Sequence, residues 1–257
     1  MDLKGKRIVI TRSAEQAAET VEMVKAAGGV PVVFPTIEIV PPASWEPVDK
    51  AIARLHTYQW VIFTSVNGVR FFTKRMEELG IPISTLERNR LCAIGPATAE
   101  ELEKAGLKVN LVPERFVAES VLEALKGQGD LKGAKILLPR AEVARDTLPK
   151  GLKSAGALVD VVTVYRTARA NPPQELKDEV LKADVLTFTS PSTLMNFLEI
   201  MGDQAQEATN GKLVACIGPV TAAKAEELGV SVGMVAEEYT LEGLLKAVEE
   251  ALRQTKL

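Results

Sequence analysis

The stretch Arg7-Ile8-Val9-Ile10-Thr11-Arg12 decides the fold, because it joins an apolar β-branched run to a hydroxyl, an arginine and a helical pattern over Ala14–Ala27. A short apolar run followed by an amphipathic helix is typical of one strand–helix unit in a parallel sheet. The same order recurs at Lys135-Ile136-Leu137-Leu138-Pro139-Arg140, which again precedes a helical pattern that ends near Gly156. The chain therefore contains this strand–helix unit at least twice.

Two other segments are repeated as well, in the same order along the chain. Phe63-Thr64-Ser65 recurs as Phe188-Thr189-Ser190. Ile94-Gly95-Pro96-Ala97-Thr98-Ala99 recurs as Ile217-Gly218-Pro219-Val220-Thr221-Ala222. Because matches at nearly constant spacing indicate a duplicated structural unit, we expect two similar sheets.

Apolar runs typical of strands alternate with helical patterns along the whole chain. The strand candidates are Arg7–Thr11, Pro31–Phe34, Trp60–Thr64, Leu91–Ile94, Lys108–Val112, Lys135–Leu138, Val159–Val164, Val185–Thr189, Leu213–Ile217 and Val230–Val235. The helix candidates include Ala14–Ala27, Val48–Leu55, Gly68–Leu79, Ala97–Ala105, Ala118–Leu125 and Leu241–Leu252. This alternation predicts an α/β fold with parallel sheets covered by helices. Two five-stranded doubly wound sheets fit it better than an eight-stranded barrel.

Proline-rich stretches indicate where the chain passes between the two sheets. Prolines cluster between Pro35 and Pro47 and again at Pro172-Pro173, after equivalent strands of the repeat. Proline fixes φ and disfavours helix in the residue before it, so both stretches are predicted to be extended connections. We therefore expect a discontinuous division rather than a tandem cut in Gly127–Gly133. The first lobe would contain residues 1–37 and 172–257, and the second residues 38–171 with the linker strands.

Composition excludes several classes of function. The 257 residues carry a net charge of −3, which offers no basic field to nucleic acid or an anionic membrane. The two cysteines, Cys92 and Cys216, cannot form a disulfide framework, which favours a reducing cytoplasmic location. His56 is the single histidine, so zinc sites built on paired histidines are excluded. The chain has neither a GxGxxG nor a Walker lysine loop, which disfavours dinucleotide and ATP chemistry.

Hydroxyl side chains follow most of the predicted strands, where ligands of doubly wound sheets bind. Ser65, Ser190, Thr98 and Thr221 each lie where a helix is predicted to begin. Helix N-termini expose unpaired N–H groups under a positive dipole, which suits anions. Each hydroxyl taken alone is better explained as a helix cap. Taken together, the set favours an anion-rich ligand.

Arg12 and Arg140 end matching strands of the repeat. Their guanidinium groups are suited either to gripping ligand carboxylates in a bidentate way or to structural ion pairs, and the sequence leaves both interpretations open. Arg145-Asp146 opens the next helix, with Arg145 a further candidate to face the ligand. Tyr165 closes a strand; its phenol is either a proton donor to a departing hydroxyl or an amphipathic linker residue.

The series of motifs resembles the uroporphyrinogen-III synthase (HemD) family. The matching residues are Leu137–Ala141, Arg145-Asp146, Val164-Tyr165-Arg166-Thr167, the two Phe-Thr-Ser segments and Ile217–Ala222, in order along essentially the whole chain. Each motif alone is weakly specific, whereas the series is highly specific. The resemblance implies two flavodoxin-like lobes joined by a two-stranded linker, with the first lobe built from both chain ends.

The resemblance also implies a reaction, a substrate and site residues. The family cyclises hydroxymethylbilane, a linear tetrapyrrole rich in carboxylates, to uroporphyrinogen III with inversion of the last ring, in heme biosynthesis. It requires no cofactor and no metal. Tyr165 would be the catalytic residue that assists loss of the hydroxyl. The substrate-binding residues would be Arg12, Ser65, Thr98, Arg140, Ser190 and Thr221.

The expected enzyme is a cytoplasmic monomeric lyase with a small-molecule substrate and no nucleic-acid or membrane partner. Transient contact with the preceding enzyme of the pathway is also expected. The alternative function is a non-catalytic two-lobed binding protein for an acidic metabolite. A nucleotide-sugar transferase with two α/β lobes is a third interpretation, although such enzymes usually have longer lobes.

Overall fold

The computed structural model describes residues 2–115 and 117–254, and within them it forms ten strands and eleven helices. The strands are β1 (Arg7–Ile10), β2 (Val30–Val33), β3 (Ile37–Val40), β4 (Trp60–Phe63), β5 (Arg90–Ala93), β6 (Lys135–Ala141), β7 (Leu158–Arg169), β8 (Val185–Phe188), β9 (Leu213–Cys216) and β10 (Met234–Val235). The helices are α1 (Ala14–Ala26), α2 (Glu46–Ala53), α3 (Val66–Glu78), α4 (Pro96–Lys104), α5 (Ala118–Lys126), α6 (Thr147–Ser154), α7 (Gln174–Leu181), α8 (Pro191–Met201), α9 (Ala205–Thr209), α10 (Pro219–Glu227) and α11 (Leu241–Gln254).

The chain divides into two compact units, called lobe 1 and lobe 2 below. Lobe 1 comprises the described residues of Met1–Glu38 and Ala168–Leu257, and lobe 2 comprises those of Ile39–Thr167. The chain crosses this division once within β3 and once within β7, which are neighbouring strands of one sheet. The predicted domain boundaries, 37/38 and 171/172, stay a prediction.

Lobe 1 contains a five-stranded sheet of order β10-β9-β8-β1-β2. Every neighbouring pair in this sheet is parallel. Counted in chain order within the lobe, the arrangement is that of a doubly wound sheet, and the winding direction reverses between β1 and β8. The ligand crevice of such a sheet is expected at that reversal, beyond the carboxyl ends of the two strands.

Lobe 2 contains a second five-stranded sheet, of order β3-β7-β6-β4-β5. The pairs of β4 with β5, β4 with β6 and β6 with β7 are parallel. Its order β5-β4-β6-β7 reproduces β9-β8-β1-β2 of lobe 1 strand for strand, as the sequence repeats predict. The winding direction reverses between β4 and β6. The predicted fold class, two doubly wound parallel sheets, is confirmed.

Residue type explains why the central strands lie where they do. Every residue of β4 and of β8 is buried, as expected for strands covered on both faces. In β1 the side chains alternate, with Ile8 and Ile10 in one apolar cluster of lobe 1 and Val9 in the other. Three aromatic rings pack together in the cluster that contains Val9. Phe34 and Phe188 each contact the ring of Phe197 edge-on, a favourable geometry for aromatic pairs.

Two sequence predictions of secondary structure are wrong. Lys108–Val112 is not a strand; only Leu111 forms an isolated parallel bridge, to Cys92 of β5. This bridge takes the place beside β5 that β10 takes beside β9. The fifth strand of the second sheet is instead β3, in the proline-rich stretch interpreted as an extended connection. His56 lies in a short 3-10 turn, Leu55–Thr57, after α2.

None of the helices in residues 2–115 and 117–254 is long and apolar enough to span a membrane.

Candidate functional site

Helices start directly beyond the carboxyl ends of strands in both sheets, and serines cap two of these helices, α3 and α8. The Ser65 hydroxyl accepts a hydrogen bond from the Gly68 N–H at 3.1 Å and caps α3. The Ser190 hydroxyl accepts from the Thr193 N–H at 3.2 Å, and the Thr193 hydroxyl accepts from the Ser190 N–H at 3.2 Å. The cap interpretation is therefore correct for both serines. A role of either serine in ligand binding stays a prediction.

Tyr165 and Ser65 are brought together although the chain separates them by 100 residues. The Tyr165 hydroxyl lies 3.0 Å from the Ser65 hydroxyl, and either oxygen is able to donate. The tyrosine ring packs at a tilt against Phe71, with the ring centres 5.8 Å apart, and only 9% of the residue is exposed. Its ring is thus part of the core of lobe 2, while its hydroxyl reaches the beginning of α3.

Thr98 and Thr221 lie in the first turns of α4 and α10, and both are buried. The Thr98 hydroxyl donates to the Ile94 carbonyl at 3.3 Å, within its own strand–helix turn. Each helix starts with a glycine cap followed by proline, Gly95 in one and Gly218 in the other. Gly95 has φ of 98°, a backbone conformation that residues other than glycine rarely adopt.

Arg12 lines a cavity of about 470 Å³ at the winding reversal of the lobe 1 sheet. Arg12 is partly buried, and its guanidinium makes no ion pair among the described residues of the chain. Ser190 lines the same cavity, as the sequence analysis predicts for strand ends of one sheet. The other lining residues are Ser13, Gln16, Glu19, Ile37, Thr189, Ser192, Thr193, Ile217, Tyr239, Thr240 and Leu241.

Arg140 lines a cavity of about 370 Å³ at the winding reversal of the lobe 2 sheet. Unlike Arg12, it is engaged: one terminal nitrogen donates to the Arg145 carbonyl at 3.0 Å and the other to Asp146 Oδ1 at 2.7 Å. The pKa of the Asp146 carboxyl is lowered, chiefly by this hydrogen bond from Arg140. Of the two interpretations of Arg140, the structure favours the structural ion pair.

Two residues of the lobe 1 cavity, Tyr239 and Thr240, are not among the site residues predicted from the sequence. Tyr239 is 66% exposed, which is unusual for an aromatic side chain, and its ring lies over Gly218. The Thr240 hydroxyl accepts from the Gly243 N–H at 3.0 Å and caps α11. A threonine before the helical pattern at Leu241 is a cap signal that sequence alone could have supplied. Thr98 and Thr221, in contrast, line neither of the two cavities.

The cysteines offer no reactive group. Burial raises the pKa of the Cys92 thiol to about 12 and that of Cys216 to about 11. Thiolates are the reactive form, so both side chains behave as small apolar residues at neutral pH. Within the part of the chain that the structure describes, no group of three or more His, Cys, Asp or Glu side chains is arranged to hold a metal ion.

These features define a class of protein: a two-lobed, doubly wound α/β protein with candidate anion sites at the carboxyl edges of its sheets. In lobe 1 an arginine that makes no ion pair within the described part of the chain shares a cavity with three helix starts. In lobe 2 a phenol and a serine hydroxyl meet at a helix cap.

The family model for uroporphyrinogen-III synthase HemD matches residues 18–246. The uroporphyrinogen-III synthase of Synechococcus elongatus is 34% identical over 264 aligned positions, which cover 98% of each chain. That of Chlorobaculum parvum is 33% identical and covers 96% of this chain and 100% of the relative. The chain belongs to the uroporphyrinogen-III synthase HemD family.

Solved structures of this family share the fold. The uroporphyrinogen-III synthetase of Helicobacter pylori aligns with a TM-score of 0.57 at 19% identity, over 96% of this chain and 99% of that one. A mutant uroporphyrinogen III synthase of Thermus thermophilus aligns with a TM-score of 0.53 at 21% identity, over 97% and 100%. At these identities the likeness concerns the fold alone.

Proposed function

We propose that this chain is a lyase that cyclises hydroxymethylbilane to uroporphyrinogen III, with inversion of the last pyrrole ring and loss of water. The observation that carries this function is family membership over nearly the whole length of the chain, at 33–36% identity to several relatives. It favours a tetrapyrrole-forming enzyme over a non-catalytic binding protein for an acidic metabolite.

The reaction needs control of shape and proton transfer. The terminal hydroxyl of the substrate leaves as water, and the pyrrole electrons form an electrophilic azafulvene. The substituted carbon of the last ring attacks it to give a spiro intermediate. One bond of that intermediate breaks, the ring turns over, and the chain closes at the free carbon, which loses its proton. In net terms one carbon–carbon bond forms and one water is released.

The carboxyl edges of the two sheets supply the groups that this substrate requires. Carboxylates bind best to guanidinium groups and to the exposed N–H groups of helix N-termini. Arg12 supports this proposal in lobe 1, because it lines the same cavity as Ser190 and makes no ion pair with any residue that the structure describes. Such a grip also offsets the overall charge of −3, which by itself would repel a polyanionic substrate.

Tyr165 is proposed to deliver a proton to the departing hydroxyl. A phenol is protonated at neutral pH and donates through its O–H. The hydrogen bond with Ser65 supports the role, because it fixes the hydroxyl at the cap of α3 while the ring stays in the core. Since the ring is largely buried, the substrate would have to reach this hydroxyl from the side of Ser65.

Ser65, Thr98, Ser190 and Thr221 are proposed to hold substrate carboxylates at the starts of four helices. Their own hydroxyls partly serve the protein, as the Ser65 and Ser190 caps and the Thr98 bond to Ile94 demonstrate. The unpaired backbone N–H groups of the first helical turns then make the larger contribution. Binding of this kind would depend on backbone shape more than on any single side chain.

Selectivity among products sets the energetic requirement. Closure without rearrangement gives the wrong isomer, so the protein has to lower one transition state relative to another. Each tenfold preference corresponds to about 1.4 kcal/mol between the two. Holding a flexible chain in one geometry is able to supply several such factors.

We further propose that the enzyme acts as a cytoplasmic monomer and contacts the preceding enzyme of the pathway only transiently. The two buried cysteines are compatible with a reducing compartment. The substrate is unstable toward spontaneous closure, which would make brief transfer from the enzyme that forms it advantageous.

The identity of the product isomer tests the function. Hydroxymethylbilane generated enzymatically in situ is incubated with and without the full chain, and the products are oxidised and separated as isomers. We expect the type III isomer with the protein and the type I isomer without it. Type I alone in both samples would contradict the proposal and favour the binding protein.

A further inference from the structure

The two arginines that the repeat places at matching strand ends differ in what they contact. Arg12 of lobe 1 makes no ion pair among the described residues, whereas both terminal nitrogens of Arg140 in lobe 2 are occupied. The Arg140 side chain is only 13% exposed, and its partner Asp146 is 57% exposed. Two of the five N–H donors of Arg140 and its charge are thus committed within the protein, which makes Arg140 less suited than Arg12 to bind a ligand carboxylate.

The contacts of Arg140 instead organise the segment that follows β6. Arg140 donates to the carbonyl of Arg145 and to the carboxylate of Asp146, the residue that precedes α6. These two bonds fix the backbone at the entrance to α6. Arg145 itself is exposed and lines the 370 Å³ cavity.

Arg145 is the second arginine that lines this cavity. Among the described residues its guanidinium makes no ion pair, although its carbonyl is bound. One carboxylate, Glu119, also lines the cavity, in the first turn of α5. The beginnings of α5 and α6 both border the cavity, and the positive ends of their dipoles oppose the charge of Glu119.

We propose that Arg145 binds a carboxylate of the tetrapyrrole substrate in the lobe 2 cavity, and that Arg140 is a positioning residue that acts through Arg145. This assignment rests on the proposed function and replaces Arg140 as the carboxylate-binding arginine of lobe 2. The two arginines have different roles because of the loop between them: Arg140 fixes the backbone, and the planar guanidinium of Arg145 binds the ligand carboxylate.

The experiment measures KM and thermal stability for single and double variants of the full chain. Arg145→Gln should raise KM for hydroxymethylbilane about 10-fold, because the hydrogen-bonded charge pair with a substrate carboxylate is lost. It should leave Tm unchanged, because the substitution removes no ion pair among the described residues. Arg145→Lys should recover part of the affinity. Lys126→Gln, at the far end of α5, removes the same charge from the lobe and should leave KM unchanged.

Arg140→Gln should lower Tm and raise KM. A double variant separates positioning from direct binding. If Arg140 acts through Arg145, the Arg140→Gln/Arg145→Gln protein has the KM of Arg145→Gln alone. If the two increases in KM multiply instead, Arg140 contacts the substrate itself and the positioning role is wrong. An unchanged KM in Arg145→Gln would overturn the carboxylate-binding role.

A binding measurement distinguishes failure of this assignment from failure of the proposed function. Uroporphyrin III, a stable porphyrin polycarboxylate, is titrated against the wild type and the same variants, with fluorescence as the readout. We expect weaker binding by Arg145→Gln and tighter binding by Glu119→Gln. Equal affinity for the wild type and Arg145→Gln would overturn the assignment even where the wild type forms the type III isomer.

Discussion

The Tyr165 hydroxyl lies 3.0 Å from the Ser65 hydroxyl, which joins the interior of one strand to the helix that follows another. The prediction that Tyr165 closes a strand is wrong, because the strand continues to Arg169. Tyr165 lies on β7 and Ser65 caps α3 after β4, with β6 between the two strands in the sheet. The contact therefore depends on sheet order and not on proximity in the chain. It holds the candidate proton donor in a defined position within lobe 2.

Replacing Tyr165 by Phe tests the proton-donor role. The ring and its contact with Phe71 are retained, while the hydroxyl and its bond to Ser65 are lost. We expect kcat to fall about 100-fold, the typical contribution of a general acid, with a loss of stability of about 1 kcal/mol. Stopped-time isomer assays give kcat, and urea unfolding gives the stability.

Ser65→Ala is the matched control for this pair. It removes the same hydrogen bond from the other side, together with the cap on the Gly68 N–H, at a cost of about 1 kcal/mol. Because the phenol is still present, kcat should fall much less than in Tyr165→Phe. Equal kcat values for wild type and Tyr165→Phe would show that the tyrosine hydroxyl is dispensable.

Replacing Arg12 by Gln tests carboxylate binding in lobe 1. Arg12 lines the lobe 1 cavity and its guanidinium makes no ion pair among the described residues, so its loss should raise KM about 10-fold and leave Tm unchanged. Lys25→Gln, at the other end of α1, breaks only an exposed pair with Glu22 and should alter neither value. A lower Tm with an unchanged KM in Arg12→Gln would indicate a structural role instead.

Replacing the glycine of each Ile-Gly-Pro turn by alanine should lower the free energy of unfolding by different amounts in the two turns. Gly95 has φ of 98° and ψ of 156°, so Gly95→Ala is expected to cost about 1–3 kcal/mol and to disturb the start of α4. Gly218 is extended, with φ of −171°, and an added Cβ would lie 3.3 Å from the exposed Tyr239 ring, which is free to yield. Gly218→Ala should therefore cost less than about 1 kcal/mol.

Urea unfolding of both glycine variants checks this difference. The account of the turns would be wrong if the two substitutions lowered the free energy of unfolding equally.

Alkaline pH should weaken lobe 2 through Tyr58. Burial, and then the hydrogen bond to Asp160 Oδ2 at 2.5 Å, raises the pKa of Tyr58 to about 12 from an ordinary value of 10. A folded-state pKa above the unfolded value stabilises the protein fully below pH 10, and this stability is lost as the pH rises toward 12. Between pH 9 and pH 11 the loss from this residue is about 1 kcal/mol.

Tyr58→Phe isolates this contribution, because Cys92 and Cys216 titrate alike in both proteins. Unfolding free energies are measured in urea at pH 9 and pH 11. The decrease should be smaller in Tyr58→Phe than in the wild type by about 1 kcal/mol. An equal decrease in the two proteins would mean that Tyr58 does not keep a raised pKa in the folded state.

The sequence repeats predict the topology because matching residues occupy matching strands. Ile8 and Ile136, for example, lie in β1 and β6, each beside the winding reversal of its sheet. The strand Ile37–Val40 could not be predicted, because its partner is Leu158–Arg169, far along the chain, and prolines flank it. Likewise Lys108–Val112 is apolar enough for a strand, but only Leu111 pairs.

The features of the candidate site also differ in how well the sequence predicts them, according to whether they depend on local or on distant residues. Helix caps such as Ser65 and Ser190 are local, so sequence predicts them well. The partner of Arg140 depends on the path of a loop, and the partner of Tyr165 on the order of strands. Neither is encoded in a short pattern, which is why only the structure separates Arg12 from Arg140.

The number of product molecules formed per molecule of protein tests the central claim most directly. A limiting amount of the full chain is supplied with excess hydroxymethylbilane, and the type III isomer is counted against the total product. A catalyst that inverts the last ring gives many equivalents of type III before spontaneous closure competes. No more than one equivalent of type III, with type I accumulating at the rate seen in buffer, would contradict the account.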